Sequence, residues 1–244
     1  MSGVRRALLL LLLVAGMSVS AAVPERRSEL PDSGEPDQPG AAPYLALPVP
    51  MATGNTGTGV TVFELFSYAC TDCYRFERTR SAWQSALPGD VRVERVPAVF
   101  DEHWRLLARA YYAARHCRVL DLTHDALFRA IHDGERRFGT AEEIAAFYAE
   151  QVGDSGRGTA RCRSEADFHA AFDSLEVASA VHQALARSRA WQPATLPAMI
   201  VDGTWRTDGG MAGSNAAMLD VVNYLVRRVR TEGDDGNGAR TSGP

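Results

Sequence analysis

Cys70-Thr71-Asp72-Cys73 follows an apolar run from Val60 to Phe66 and opens a helical pattern from Cys70 to about Leu87. A cysteine at a helix N-terminus faces free backbone N–H groups and the positive end of the helix dipole. Both stabilise a thiolate, so the thiol becomes nucleophilic and the disulfide easier to reduce. Cys70 is then the exposed, attacking sulfur. Cys73 lies one turn inward, where it resolves a mixed disulfide. Other chemistries fit less well. A c-type haem needs His after the second cysteine, and Tyr74 stands there. A zinc site needs two further ligands, and Cys117 and Cys162 form no second close pair. An inert disulfide is sterically unfavourable in so small a ring.

Glu64 is the only charged residue in Val60–Phe66 and stands six positions before Cys70. A carboxylate in a buried strand has a raised pKa and requires a polar partner. Its functional reading is a proton relay or a tuner of Cys73. The plainer reading is a solvated or helix-covered edge position.

These residues need a scaffold, and the pattern supplies one. Tyr44 to Pro48 reads as a short edge strand, and Thr53 to Gly59 as a turn. Val60 to Phe66 is β-prone and almost continuously apolar, as a central strand should be. Pro88-Gly89-Asp90 stops the helix, and Val91 to Val96 alternates with period two. Helical patterns then follow over 102–117, 124–132, 140–151, 165–173 and 174–189, punctuated by Gly134, Gly153, Gly156 and Gly158. Strand character returns at Ala198 to Asp202, with Asp202-Gly203 as a hairpin signal and Trp205 to Thr207 as the returning strand. Ser214 caps a last helix that runs to about Arg230. This order predicts an α/β sheet domain, residues 44–100 and 188–230, interrupted by an all-helical insertion, 101–187.

The first segment bears on compartment. Arg5 and Arg6 precede a leucine-rich run from Ala7 to Met17, and Ser18, Ser20, Ala21 and Ala22 follow. Residues 1–22 read as a secretory signal peptide, too short in apolar length to span a bilayer comfortably. After its removal no stable membrane insertion is expected. Residues 23–43 read as a flexible linker and 231–244 as a disordered tail. The chain of 244 residues has a formal net charge of −4, which argues against a nucleic-acid partner. All 26 of its basic residues are arginine, a feature from which no function follows. With four cysteines, the fold must rest on an apolar core rather than a cystine scaffold. Export means oxidising conditions, in which Cys117 and Cys162, 45 residues apart, either pair or stay two separately buried thiols. Neither has a catalytic role.

Phe63-Glu64-Leu65-Phe66-Ser67-Tyr68-Ala69-Cys70 and Cys73-Tyr74-Arg75-Phe76-Glu77 resemble the active-site segment of the DsbA family of periplasmic thiol:disulfide interchange proteins. Leu196-Pro197-Ala198-Met199-Ile200-Val201-Asp202-Gly203, with Thr204 to Thr207 after it, is similar to that family's cis-proline loop and hairpin. The resemblance covers about residues 44–230. It implies a thioredoxin-like fold with a helical insertion, no cofactor and no metal. It implies disulfide exchange with cysteine-containing exported proteins, and reoxidation by a membrane disulfide oxidase of the DsbB type. By position, Cys70 is the nucleophile, Cys73 the resolving thiol and Pro197 the cis-proline. Leu196 would offer backbone groups to a substrate strand.

The family pattern is Cys-Pro-His-Cys, and here Thr71 and Asp72 fill both variable positions. A negative charge beside Cys70 opposes a thiolate. Cys70 is therefore expected to have a higher pKa than is usual in the family, and its disulfide to be less oxidising. This leaves room for a reductase, an isomerase or an exchanger with dedicated clients. It also leaves room for a thioredoxin-like binding module or metallochaperone, though no Met-rich or His-rich tract supports copper. His103, His116, His124, His132, His169 and His182 fall in the helical block and read as surface or capping residues. Phe100, Trp104 and Phe138 read as core.

Overall fold

The structure is a computed structural model that describes residues 42–53, 59–153 and 160–238. The expected signal segment, most of the linker, the turn at 54–58, the loop holding Gly156 and Gly158, and the last six residues lie outside the described residues.

Five strands form one sheet in the order β1-β5-β4-β2-β3. They are β1 (Leu45–Ala46), β2 (Val60–Phe66), β3 (Val91–Pro97), β4 (Ala198–Val201) and β5 (Trp205–Asp208). β2 and β3 are parallel, and the other pairings are antiparallel. A parallel pair needs a crossover, and α1 (Thr71–Ser85) provides it. All seven residues of β2 are buried, which explains its near-continuous apolar run. Phe63 and Leu65 pack into a larger core shared with the insertion, while Val60 and Val62 face a second core with Phe76 and the last helix.

The insertion between β3 and β4 consists of α2 (Glu102–His116), α3 (Leu120–His132), α4 (Ala141–Val152), α5 (Glu165–Phe172) and α6 (Leu175–Trp191). Side-chain caps fix most of the starts. Asp101, Ser174 and the capping boxes Thr140–Glu143 and Ser164–Asp167 satisfy amides that the helices leave unpaired. α3 starts four residues before its expected position, because its first turn hydrogen-bonds back to the Val119 carbonyl through Leu122 and Thr123. Cys117 and Cys162 are joined by a disulfide, and Arg161 N–H donates to the Cys117 carbonyl beside it.

Asp202 and Gly203 both have positive φ, 49° and 63°, the geometry of a tight hairpin turn. Gly203 also lies under Met51, whose carbonyl oxygen would be 2.0 Å from any added Cβ. A short α7 (Gly209–Ala212), capped by Asp208, has no counterpart in the sequence reading. The last helix, α8 (Asn215–Gly238), extends past the expected end near Arg230, with Ser214 Oγ accepting from Ala217 N–H at its start. Phe138 is buried, but Phe100 is 55% exposed and rests against Trp104, so its expected core position is corrected.

The bridge closes a loop of 45 residues, for which the lost unfolded-state entropy is worth roughly 4 kcal/mol. Cys117→Ala/Cys162→Ala should lower the urea unfolding free energy by an amount of that order. An unchanged midpoint and slope would show that the bridge carries no stability.

Candidate active site

Cys70 is the N-cap of α1, with extended backbone at φ −90° and ψ 112°. Its Sγ accepts a hydrogen bond from the Cys73 backbone N–H at 3.1 Å. Ser67 shapes the approach: its carbonyl accepts from Cys70 N–H at 3.0 Å and its Oγ from Ala69 N–H at 3.1 Å. The Cys70 Sγ–H donates to the Leu196 carbonyl at 3.7 Å. The Leu196–Pro197 peptide is cis, and this loop leads directly into β4. Leu196 is half-buried and Pro197 buried. Cys70 is partly exposed and Cys73 wholly buried, and both are thiols.

The two sulfurs differ in charge preference. The hydrogen bond with Cys73 holds the Cys70 thiol below its ordinary range; burial opposes it, backbone N–H groups assist, and the charge of Asp72 pushes weakly the other way. Burial pushes Cys73 well up, and its hydrogen bond with Cys70 and the Glu64 charge push the same way. Thr71 and Asp72 are exposed, and Asp72 pairs with Arg75 at 3.4 Å. A thiolate therefore settles on Cys70, and Cys73 takes a proton when released.

Glu64 is completely buried on β2. Its Oε2 lies 3.3 Å from Arg95 Nε and 3.5 Å from Arg80 Nε. Glu77, on α1, takes Arg95 Nη2 at 2.6 Å and Arg80 Nε at 3.4 Å through its Oε2. Burial raises Glu64 to about 7, and the neighbouring Glu77 charge adds to this against the pull of Arg95 and Arg80. Glu77 is half-buried, which pushes it up, yet His124, Arg95 and Arg80 outweigh that and hold it down at about 2. Glu64 is thus neither solvated nor at a sheet edge.

Sequence reasoning missed Glu77, Arg80, Arg95 and His124. A signal existed for one of them: Glu64 and Arg95 are cross-strand partners in the β2–β3 register. Glu77 is one turn beyond Cys73 on the same helical face. Arg80 is 6% exposed, on a helix where apolar residues were expected to face inward. His124 is 4% exposed, which corrects its reading as a surface or capping residue. Among the described residues, Glu77, His124 and Asp125 bring three metal-type donor atoms within 4.8 Å of one another. Glu77 is already balanced there by two guanidinium groups, and neither site cysteine belongs to the group.

A sheet of this order, a Cys-x-x-Cys at the N-terminus of its crossover helix and the carbonyl preceding a cis-proline against the first sulfur define a thioredoxin-fold thiol:disulfide oxidoreductase. No family model matches the chain. Curated relatives do. The chain is 33% identical over 188 residues to the thiol:disulfide interchange protein DsbA of Azotobacter vinelandii, covering 77% of this chain and 83% of that one. It is 31% identical over 187 residues to the Pseudomonas aeruginosa DsbA, with the same coverage of each chain. The crystal structure of the oxidoreductase DsbA from Xylella fastidiosa superposes with a TM-score of 0.70 at 30% identity, covering 83% of this chain and 99% of that one. The Pseudomonas aeruginosa DsbA crystal structure gives 0.69 at 29%, covering 79% and 94%. The chain belongs to the DsbA family and is a thiol:disulfide oxidoreductase.

Folded Glu64 keeps its proton up to about 7, whereas an ordinary glutamate loses it near 4.5. The unfolded chain therefore deprotonates first, and stability falls as pH rises between those values. Glu77 acts oppositely: its contribution is present above 4.5 and lost as pH falls towards about 2. Glu64→Gln should remove the upper slope, which is worth on the order of 3 kcal/mol. Urea midpoints at several pH values between 5 and 8 check this, and parallel curves for the two proteins would contradict it.

Proposed function

We propose that this chain is exported to the periplasm and exchanges disulfides with cysteine-containing exported proteins through Cys70 and Cys73. The observation that carries this reading is the asymmetry of the pair: a half-exposed Cys70 that favours the thiolate above a sealed Cys73 that favours the thiol. The reading of residues 1–22 as a signal peptide supports the compartment.

In the oxidised protein the two sulfurs form a disulfide. A client thiolate attacks Cys70 Sγ, the Cys70–Cys73 bond breaks, and Cys73 leaves with the electron pair and takes up a proton. A second client thiolate attacks the client sulfur of the mixed disulfide and releases Cys70 as thiolate. Two electrons have then passed from the client dithiol to the site. A membrane disulfide oxidase of the DsbB type would take them on. Leu196 flanks the sulfur, so an extended client strand beside the cis-proline loop would meet Cys70 as it binds. Pro197 keeps that loop's direction, and Glu64 supplies or accepts the Cys73 proton.

Asp72 favours a second reading in the same chemistry, a less oxidising exchanger. Its charge opposes the Cys70 thiolate, as the sequence led us to expect, but it is the least of the influences on that sulfur. Asp72→His should lower the Cys70 pKa and raise the reduction potential, by about 30 mV for each pKa unit. A glutathione redox titration reads both proteins. A wild-type potential as high as about −120 mV would remove the less oxidising reading.

Cys73→Ser should trap client mixed disulfides through Cys70, seen as reducible adducts on non-reducing gels. Cys70→Ser should form none and should not reduce insulin. Adducts of equal yield with Cys70→Ser would overturn the assignment of the nucleophile.

A further inference from the structure

Glu77, His124 and Asp125 form a group that the exchange steps do not use. Glu77 comes from α1 and the other two from α3, and all three line one cleft between these helices. Each offers one donor atom, an imidazole nitrogen or a carboxylate oxygen, and these atoms lie within 4.8 Å of one another.

The two inner atoms lack partners. His124 is 4% exposed, yet its Nε2 has no hydrogen-bond partner among the described residues. Glu77 Oε1 is in the same position, because Arg95 and Arg80 both sit at Oε2. The two atoms face each other at 3.4 Å with no hydrogen bond between them. Buried polar atoms left in this state are costly unless something else satisfies both. An ion held tetrahedrally at about 2.1 Å from each of two donors sets those donors about 3.4 Å apart. The third donor is adjustable, since Asp125 is exposed and its carboxylate has no hydrogen bond or ion pair among the described residues.

The far side of the imidazole suits ligation. Nδ1 lies 2.7 Å from Tyr68 Oη, so an Nδ1–H donates to the hydroxyl and leaves Nε2 bare. A metal-binding histidine is commonly oriented by such a bond from its other nitrogen. The rings of Phe66 and Phe128, at 5.5 and 5.2 Å, hold the imidazole in place. The donor set also selects the ion. Arg80 and Arg95 beside Glu77 repel any cation, which penalises ions held by charge alone. Calcium wants roughly six to eight oxygen ligands. One imidazole and two carboxylates suit an ion that bonds to nitrogen, with water from the cleft in the fourth position.

We propose that Glu77, His124 and Asp125 bind a divalent transition-metal ion of the zinc class, which clips α1 to α3. The ion ties the helix that carries Cys70 and Cys73 to the helical insertion. It touches neither sulfur, and the site is independent of the exchange chemistry above.

The test is a calorimetric titration of the untagged full chain with zinc chloride. The protein is used oxidised, so that the Cys70–Cys73 disulfide removes both thiols from competition. One zinc per chain is expected. Asp125→Asn, at an exposed position, should weaken binding at least about tenfold, and His124→Phe should abolish it. Zinc should raise the urea midpoint of the wild type and leave that of His124→Phe unchanged. In the zinc-loaded wild type, imidazole nitrogen NMR should show hydrogen on Nδ1 of His124 and the ion on Nε2. Absence of zinc binding by the oxidised protein overturns the proposal. So does wild-type affinity in Asp125→Asn, or hydrogen kept on Nε2 with zinc bound; these two readouts decide the matter if His124→Phe does not fold. Displacement of zinc by an equal concentration of calcium overturns the choice of ion.

Discussion

A carboxyl group cannot be sealed in the middle of a central strand unless donors and cations are sealed in with it. Removing a charge from water costs several kcal/mol, and an unpaired one protonates or unfolds the chain. Glu64 imposes that constraint on its neighbours. Arg95 answers it from the adjacent strand, directly across the register. Arg80 answers it from α1, which explains a buried arginine on a helix face otherwise filled by Cys73 and Phe76. Two guanidinium groups facing one carboxyl would leave excess positive charge inside, and Glu77 balances them. His124 approaches Glu77 at 3.4 Å and holds Tyr68 Oη at 2.7 Å, so the insertion and the active-site turn both reach the cluster. The cluster thus joins β2, β3, α1 and α3, and ties the helical insertion to the sheet at the redox site.

The same sheet and helix set the two sulfurs apart. α1 begins where β2 ends, so Cys70 caps the helix and receives the Cys73 amide. One turn inward, Cys73 meets the buried end of the sheet and has lost access to water. Backbone amides favour charge on the first sulfur, and burial forbids it on the second. A pair built this way stores its proton below and its reactivity above. The cis-proline loop closes the other side of Cys70 with a carbonyl, an acceptor that favours the thiol form of that sulfur and competes with the amide.

Much of this was legible in the sequence. Strand and helix periods, the Cys-x-x-Cys position, the Asp202-Gly203 turn and the Ser214 cap depend on neighbours in the chain, and the elements follow them closely. The buried cluster was not legible in the same way. Arg80 and His124 look like ordinary polar residues of amphipathic helices, because local pattern carries no record of a charge waiting on another element. Glu64 was visible as an anomaly within β2. Its partners required the β2–β3 register and the docking of α3, which are tertiary facts. α7 was missed for a related reason: a single capped turn of Gly-Gly-Met-Ala has no periodic signal.

Depth also decides how far each acid's charge reaches. Sequence position makes Asp72 conspicuous, since it lies between the cysteines where a histidine is usual in the family. Its side chain is 64% exposed and has Arg75 beside it, so water and a counter-charge weaken its reach. A unit charge 4 Å away is worth about 1 kcal/mol in water and about 4 kcal/mol at the effective dielectric of a protein site. Glu64 acts in the second regime, from full burial, and its charge is felt at Cys73, where the leaving sulfur must find a proton. Asp72 is a minor influence on Cys70, and Glu64 a minor one on Cys73, beside the hydrogen bonds and burial that act on each sulfur. The asymmetry of the two sulfurs rests on burial and hydrogen bonding before it rests on either carboxyl charge.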